Sequence, residues 1–201
     1  MATNNPYEDF NSFLELAKIP ELEFIFSNTT EAGIVFDPTD QFDATPPKSY
    51  PAKLTRWLWE RFTHFEANSN AGLYIIPCEL INYNATTLKK IILQYVDLWE
   101  LEGQFKEWIQ NAITFCNSLV DRIVPGYPKE NLSFYENQLA YKDALLVTAE
   151  PFFLWVIEGD ERLKEKLSVD QIYLDIKIVK DLQFYRTQKV RILNGAHTAL
   201  V

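Results

Sequence analysis

A chain of 201 residues with 47% hydrophobic content can bury one sizeable core with a small appendage. Its formal net charge of -9 comes without a stripe of lysine and arginine, which excludes the phosphate-binding surface of a nucleic-acid partner. It holds neither a run of about eighteen apolar residues nor a cationic leader before an apolar stretch, so no membrane span and no secretory signal is expected, and the cytoplasm is the default location.

Residues 8–18 read as a short helix, and residues 22–27 as a strand that ends in the polar cluster Ser27-Asn28-Thr29-Thr30-Glu31. A strand ending in small polar residues is where an open α/β sheet places its ligand-binding loops, which makes Asn28, Thr29, Thr30 and Glu31 candidate cofactor contacts. Four prolines between Asp37 and Pro51 make that stretch a loop or lid. Pro51 then opens a strong helix through Phe62, proline being favoured in a first turn. His64 follows at the helix end, where the dipole and solvent suffice to explain it. Residues 72–81 form a continuous apolar run of strand length, the pattern of a strand covered on both faces, and end in the turn Asn82-Tyr83-Asn84.

Helical periodicity runs over residues 86–101 and again over residues 104–119, with a tight turn at Gly103 between them. Residues 120–126 break that pattern and stop at Pro-Gly. After a loop over residues 127–137, residues 145–149, 152–157 and 176–182 read as strands, with a charged helix at residues 160–166. Together they make a second, mixed or antiparallel, extension of the sheet. A last helical pattern starts near Arg186 and is still running at Val201.

Cys78 falls at a strand end and Cys116 inside a helical pattern; both read as buried thiols, a disulfide between them being the lesser alternative. Two cysteines and two histidines show none of the paired short spacings of a metal site, so no metal is expected. The six glycines, Gly33, Gly72, Gly103, Gly126, Gly159 and Gly195, are too far apart to form Gly-x-Gly-x-x-Gly. That turn is where backbone amides approach the pyrophosphate of a dinucleotide.

The final stretch, Lys189-Val-Arg-Ile-Leu-Asn-Gly-Ala-His197, sets an asparagine five residues and a histidine eight residues after a lysine. Lys189, His197 and Asn194 fall at roughly 0°, 80° and 140° around a helix, so all three can reach one cavity. A metal-free alcohol dehydrogenase needs such a set: a base for the hydroxyl proton, donors for the developing alkoxide, and a group that orients the substrate. An amphipathic helix whose polar face happens to carry these residues satisfies the same spacing.

This run, with Cys78-Glu-Leu-Ile81 and Leu119-Val-Asp-Arg-Ile-Val-Pro-Gly126 upstream, resembles the mannitol dehydrogenase family of long-chain, metal-independent polyol and sugar-acid dehydrogenases. The resemblance covers residues 24–201 and implies an α/β fold. Residues 1–183 would be the later part of a Rossmann-like nucleotide-binding domain with a mixed sheet extension. Residues 184–201 would be the first helix of a truncated α-helical substrate domain. It also implies NAD as cofactor, a small sugar-acid substrate, and an internal piece of a longer chain whose glycine-rich start and later helical domain lie outside this sequence.

Residue by residue, Lys189 matches the family's general acid and base, a role that burial or the nearby positive charge of Arg191 favours. Asn194 and Asn84 match the two amides that donate to the oxyanion. Ala85 stands where the family usually has glycine, so Asn82 is an alternative amide, and a plain Asx turn is an alternative for Asn84. His197 would orient the reacting carbon. Asp121 reads as an orienting group and Arg122 as its ion partner or a substrate contact, a purely structural ion pair being the alternative. Glu150-Pro-Phe152 would shape the site. The sequence thus points to an oxidoreductase acting on a sugar acid, with a sister activity on a polyol, or, from another class, a sugar-binding or interaction module without catalysis.

Overall fold

The computed structural model describes residues 4–30 and 32–189. Asp9 caps α1 (Phe10–Glu15) by accepting from the Ser12 amide, and a single 3-10 turn, Leu16–Lys18, carries the chain toward β1 (Phe24–Ser27). Ser49 caps α2 (Tyr50–His64), whose first turn holds Pro51, a residue with no amide hydrogen to leave unpartnered. β2 (Tyr74–Pro77), α3 (Asn84–Leu98), α4 (Gly103–Asn111) and the short β3 (Thr114–Phe115) follow. β1, β2 and β3 form one parallel sheet with β2 in the centre. Parallel neighbours need crossovers; α2 supplies the first, and α3 with α4 the second.

The apolar run at β2 is covered on both faces, as its sequence indicates. Ile75 joins a core with Leu58, Leu88, Ile92 and Phe105, whereas Ile76 joins a second core with Cys116, Ile157 and Leu163. Successive side chains of a strand leave on opposite faces, so one strand serves both cores. Arg61 locks α2 in place from inside the protein, at 1% exposure. Its Nε donates to the Ala71 carbonyl at 2.7 Å, Nη1 to those of Ala17 and Ile19 at 2.9 Å, and Nη2 to that of Leu22 at 3.1 Å. The proline-rich stretch before α2 is fastened onto α3 as a loop. The Asp37 amide donates to the Tyr95 hydroxyl at 2.9 Å, and the Trp99 indole to the Asp40 carbonyl at 3.0 Å.

A second sheet holds β4 (Ser118–Asp121), β5 (Leu154–Glu158) and β6 (Ile176–Val179). β4 runs antiparallel to β5 and β5 parallel to β6, the mixed extension expected. Asp160 caps α6 (Glu161–Leu167), and α7 (Gln183–Thr187) follows β6. No helix among the described residues is long and apolar enough to cross a membrane.

Three elements differ from the sequence reading. The helix expected over residues 104–119 stops at Asn111. Ile109, Ile113 and Cys116 keep a helical spacing, but Thr114 and Phe115 pair with β2, and β4 pairs with β5, so tertiary pairing overrides the local period. Cys116 therefore lies between two strands. The loop expected over residues 127–137 holds most of α5 (Leu132–Leu139). Residues 145–149 form no strand beyond a single bridge from Thr148 to Gly126; Leu145 is 87% exposed, so apolar composition there does not mean burial.

Candidate active site

Five of the buried polar residues, Ser27, Glu79, Asn84, Asn117 and Ser118, lie at or near the ends of strands. In an open α/β sheet the carboxyl ends of the strands are where ligands bind. Glu79, 2% exposed just beyond β2, accepts from the Ser27 hydroxyl at 3.0 Å with one carboxylate oxygen. Its other oxygen accepts from the Thr29 amide at 3.0 Å and the Thr29 hydroxyl at 2.8 Å. A buried carboxylate thereby holds the loop that leaves β1. That loop closes where the Gly33 amide donates to the Thr30 carbonyl at 2.8 Å, and a Cβ on Gly33 would stand 1.9 Å from the Thr29 hydroxyl. Asn28 and Thr30 are exposed, and Glu31 lies outside the described residues. The sequence reading gave Glu79 no role; its signal is a carboxylate inside an apolar run, which needs buried partners.

Close by, the Tyr50 hydroxyl is buried with no hydrogen-bond partner among the described residues, and burial pushes the phenol above its usual range. Cys78 and Cys116 are free thiols. Burial raises Cys78 to about 11 and Cys116 to about 12, so neither is a ready thiolate.

Asn84 begins α3 behind Tyr83, whose φ of 52° is in the left-handed region. It is fully buried. Its amide nitrogen donates toward the carbonyls of Pro77 at 2.9 Å, Ser118 at 3.0 Å and Glu79 at 3.1 Å. Its oxygen accepts from the amides of Ala85 at 2.9 Å and Ser118 at 3.0 Å. Two amide hydrogens shared among three carbonyls leave none for an oxyanion in this arrangement. Asn82, the alternative amide, is exposed. Asn117 makes a matching link: its oxygen accepts from the Thr86 amide at 3.1 Å, and its nitrogen donates to Glu158 at 2.7 Å. Glu158 in turn accepts from the Leu182 amide, at 3.0 Å, just before α7.

The Lys189 amino group donates to the Val120 carbonyl at 2.7 Å and pairs with Asp121 at 3.1 Å, the two side chains being 15% and 21% exposed. β4 therefore carries two anchorages. Ser118 holds Asn84, and Val120 holds Lys189, separated by roughly 7 Å at the rise of a strand. Of the two roles expected of Arg122, ion partner of Asp121 or substrate contact, the ion pair is not formed among the described residues. Neighbouring side chains diverge in an extended chain, and the Arg122 Nε donates to the Glu150 carbonyl at 3.1 Å, with the guanidinium 5.7 Å from the Phe153 ring centroid. Glu150 also accepts from the Ile123 amide at 2.6 Å, which gives the Glu-Pro-Phe segment a place beside the loop after β4. Arg191, Asn194 and His197 lie outside the described residues.

Parallel strands joined by crossover helices, with buried polar groups gathered at strand ends, define a Rossmann-like α/β domain. The chain belongs to the mannitol dehydrogenase family, since the model of the mannitol dehydrogenase Rossmann domain matches residues 1–171. An altronate oxidoreductase of Klebsiella pneumoniae subsp. pneumoniae is 53% identical over 195 residues, covering 97% of this chain and 40% of that protein. One of Yersinia enterocolitica is 48% identical over 197 residues, covering 98% and 41%. The chain thus spans about 40% of the length of the curated relatives it matches. Among solved structures, mannitol 2-dehydrogenase of Pseudomonas fluorescens, in a ternary complex with NAD and D-mannitol, superposes with a TM-score of 0.70 at 22% identity, over 97% of this chain and 40% of that one. A substrate-free D-sorbitol dehydrogenase superposes with a TM-score of 0.73, also at 22% identity, over 94% and 40%. At that identity the likeness is one of fold.

Proposed function

We propose that this chain is part of a longer, cytoplasmic, NAD-dependent oxidoreductase that reduces tagaturonate to altronate without a metal, with Lys189 as general acid and base. The observation that carries this reading is the seat of Lys189, its amino group fixed at the end of β4 against Val120 and Asp121. The names of relatives at about 50% identity supply the sugar acid. In this reading residues 1–183 belong to the nucleotide domain and residues 184–201 begin the substrate domain.

The nicotinamide end of NAD fits the loop after β1, where Asn28 and Thr30 stand exposed beside a Thr29 that Glu79 already holds. No Gly-x-Gly-x-x-Gly turn for a pyrophosphate is in the sequence, so that contact is assigned to the rest of the full-length protein. NAD, when bound, supplies the hydride acceptor or donor. An ammonium has three N–H directions. On Lys189 the Val120 carbonyl and the Asp121 carboxylate take two, and the third is the position for the proton that moves to the substrate carbonyl oxygen during reduction and returns during oxidation. Asn194 then donates to the oxyanion and His197 orients the reacting carbon, while Asn84 positions the α3 end against β4. A steady-state assay of the full-length protein with NADH and tagaturonate, fructuronate or fructose tests the reading. Preference for tagaturonate is expected; turnover of fructose alone would overturn it.

A further inference from the structure

Arg186 lies on α7, three residues before Lys189, and is 9% exposed. Its Nη1 is buried with no hydrogen-bond partner among the described residues. Arg61 shows how this fold treats a guanidinium whose role is structural, surrounding it with four backbone carbonyls. Among the described residues Arg186 has no such cage. It lies 4.2 Å from the centroid of the Tyr83 ring, and the Tyr83 hydroxyl approaches Gln183 on the same helix at 3.3 Å. A buried cation with unused donors is strongly unfavourable unless an anion completes it. Tyr83 is the residue before Asn84, and Arg186 precedes Lys189 by three residues, with α7 ending at Thr187. Arg186 therefore joins the start of α3, through Tyr83, to the segment that carries Lys189.

We propose that Arg186 receives the carboxylate of the sugar-acid substrate and so sets the preference for an acid over a neutral sugar; this rests on the proposed dehydrogenase reading. A planar guanidinium, its carbon 4.2 Å from the centroid of an aromatic ring, offers two parallel N–H donors to a carboxylate, a fit that a lysine cannot copy. The cofactor's phosphates are the other source of anionic oxygen. They belong at the turn after the first strand of a nucleotide domain, whereas Arg186 is three residues from Lys189, the group proposed to move the substrate's proton.

The test uses the full-length protein carrying Arg186→Gln or Arg186→Lys, with KM measured for tagaturonate, fructose and NADH. The expected result is a rise in KM for tagaturonate of roughly 10- to 100-fold in Arg186→Gln, partly restored in Arg186→Lys, with KM for NADH unchanged. The ratio of kcat/KM for the acid over fructose should fall by a similar factor. Equal losses on acid and neutral sugar would overturn the proposal, as would a matching rise in KM for NADH, which would give the anion to the cofactor. An unchanged KM for tagaturonate with a lowered melting temperature would make Arg186 purely structural. Wild-type protein that turns over no sugar acid would instead sink the dehydrogenase reading beneath it. Should Arg186→Gln fail to fold, altronate is titrated directly into the Arg186→Lys protein, with NADH binding as the control for folding. Weakened altronate binding then supports the proposal, and binding as tight as in the wild type overturns it.

Discussion

Lys189 and Asp121 are separated by 68 positions in sequence yet paired in space, and their roles divide accordingly. Removing the amine in Lys189→Ala should lower kcat near neutral pH by roughly 10²- to 10⁴-fold, the range of general acid and base catalysis, while NADH binding changes little. Loss of cofactor affinity on the same scale, measured by fluorescence titration, would count against the assignment. Asp121→Asn keeps the shape of the side chain but removes the charge that holds the amine. It should lower kcat about tenfold with KM for NADH unchanged. Both positions are singled out in the sequence by the family resemblance, which does not make them each other's partner. For Glu79 the local signal is only a carboxylate inside an apolar run, and what defines the roles of Glu79 and Arg186 is remote. The partners of Glu79 lie about 50 residues upstream, and the burial of the Arg186 guanidinium is visible only once α7 meets Tyr83. Of the two roles open to Arg122, the ion pair with Asp121 is not formed, since adjacency in an extended chain points neighbouring side chains apart.

At the scale of elements, the N-terminus of α3 is clamped to β2 and β4 by one side chain. Asn84→Ala removes the side-chain partner of the Ser118 and Ala85 amides and of the Ser118 carbonyl, while the Pro77 and Glu79 carbonyls keep the Ser118 hydroxyl and the Ile81 amide, and should reduce unfolding stability by about 2–4 kcal/mol, read from urea denaturation. An unchanged midpoint with lost turnover would mean that the amide meets the oxyanion directly and that its backbone partners are secondary. The strand pairing behind this clamp is also where the sequence was least legible. From Ile109 to Cys116 the apolar residues recur at intervals of four and three, so nothing local distinguishes a continuing helix from a helix followed by two short strands. The choice is made by β2, whose backbone pairs with Thr114 and Phe115, and by β5, which pairs with β4. Elements whose period survives over many turns, such as α2 and α3, were legible because burial and local pattern agree there.

Across the whole molecule the fold class was readable from the family resemblance, with apolar runs that end in polar turns in agreement with it. Which edge of the sheet stays open was not, because an edge is defined by the absence of a neighbour. Among the described residues β1 pairs only with β2, so its other edge presents unpaired backbone groups. Beside it lies an apolar groove of about 360 Å³ lined by Phe13, Ile19, Phe24, Phe26, Leu54 and Trp57. Phe26 is 48% exposed and Ile19 40%. Apolar surface gathered into one concave patch beside a strand edge attracts other apolar groups, in contrast to single exposed side chains scattered over a surface. The 201-residue chain should therefore enhance the fluorescence of the dye ANS in native buffer. Ile19→Lys should weaken that signal: its side chain lines the groove, whereas only its backbone carbonyl serves Arg61, so the α2 anchorage remains. Dye binding that is equally strong in Ile19→Lys would place the accessible apolar surface elsewhere, and a native chain that leaves the dye dark would show that this groove is closed in solution.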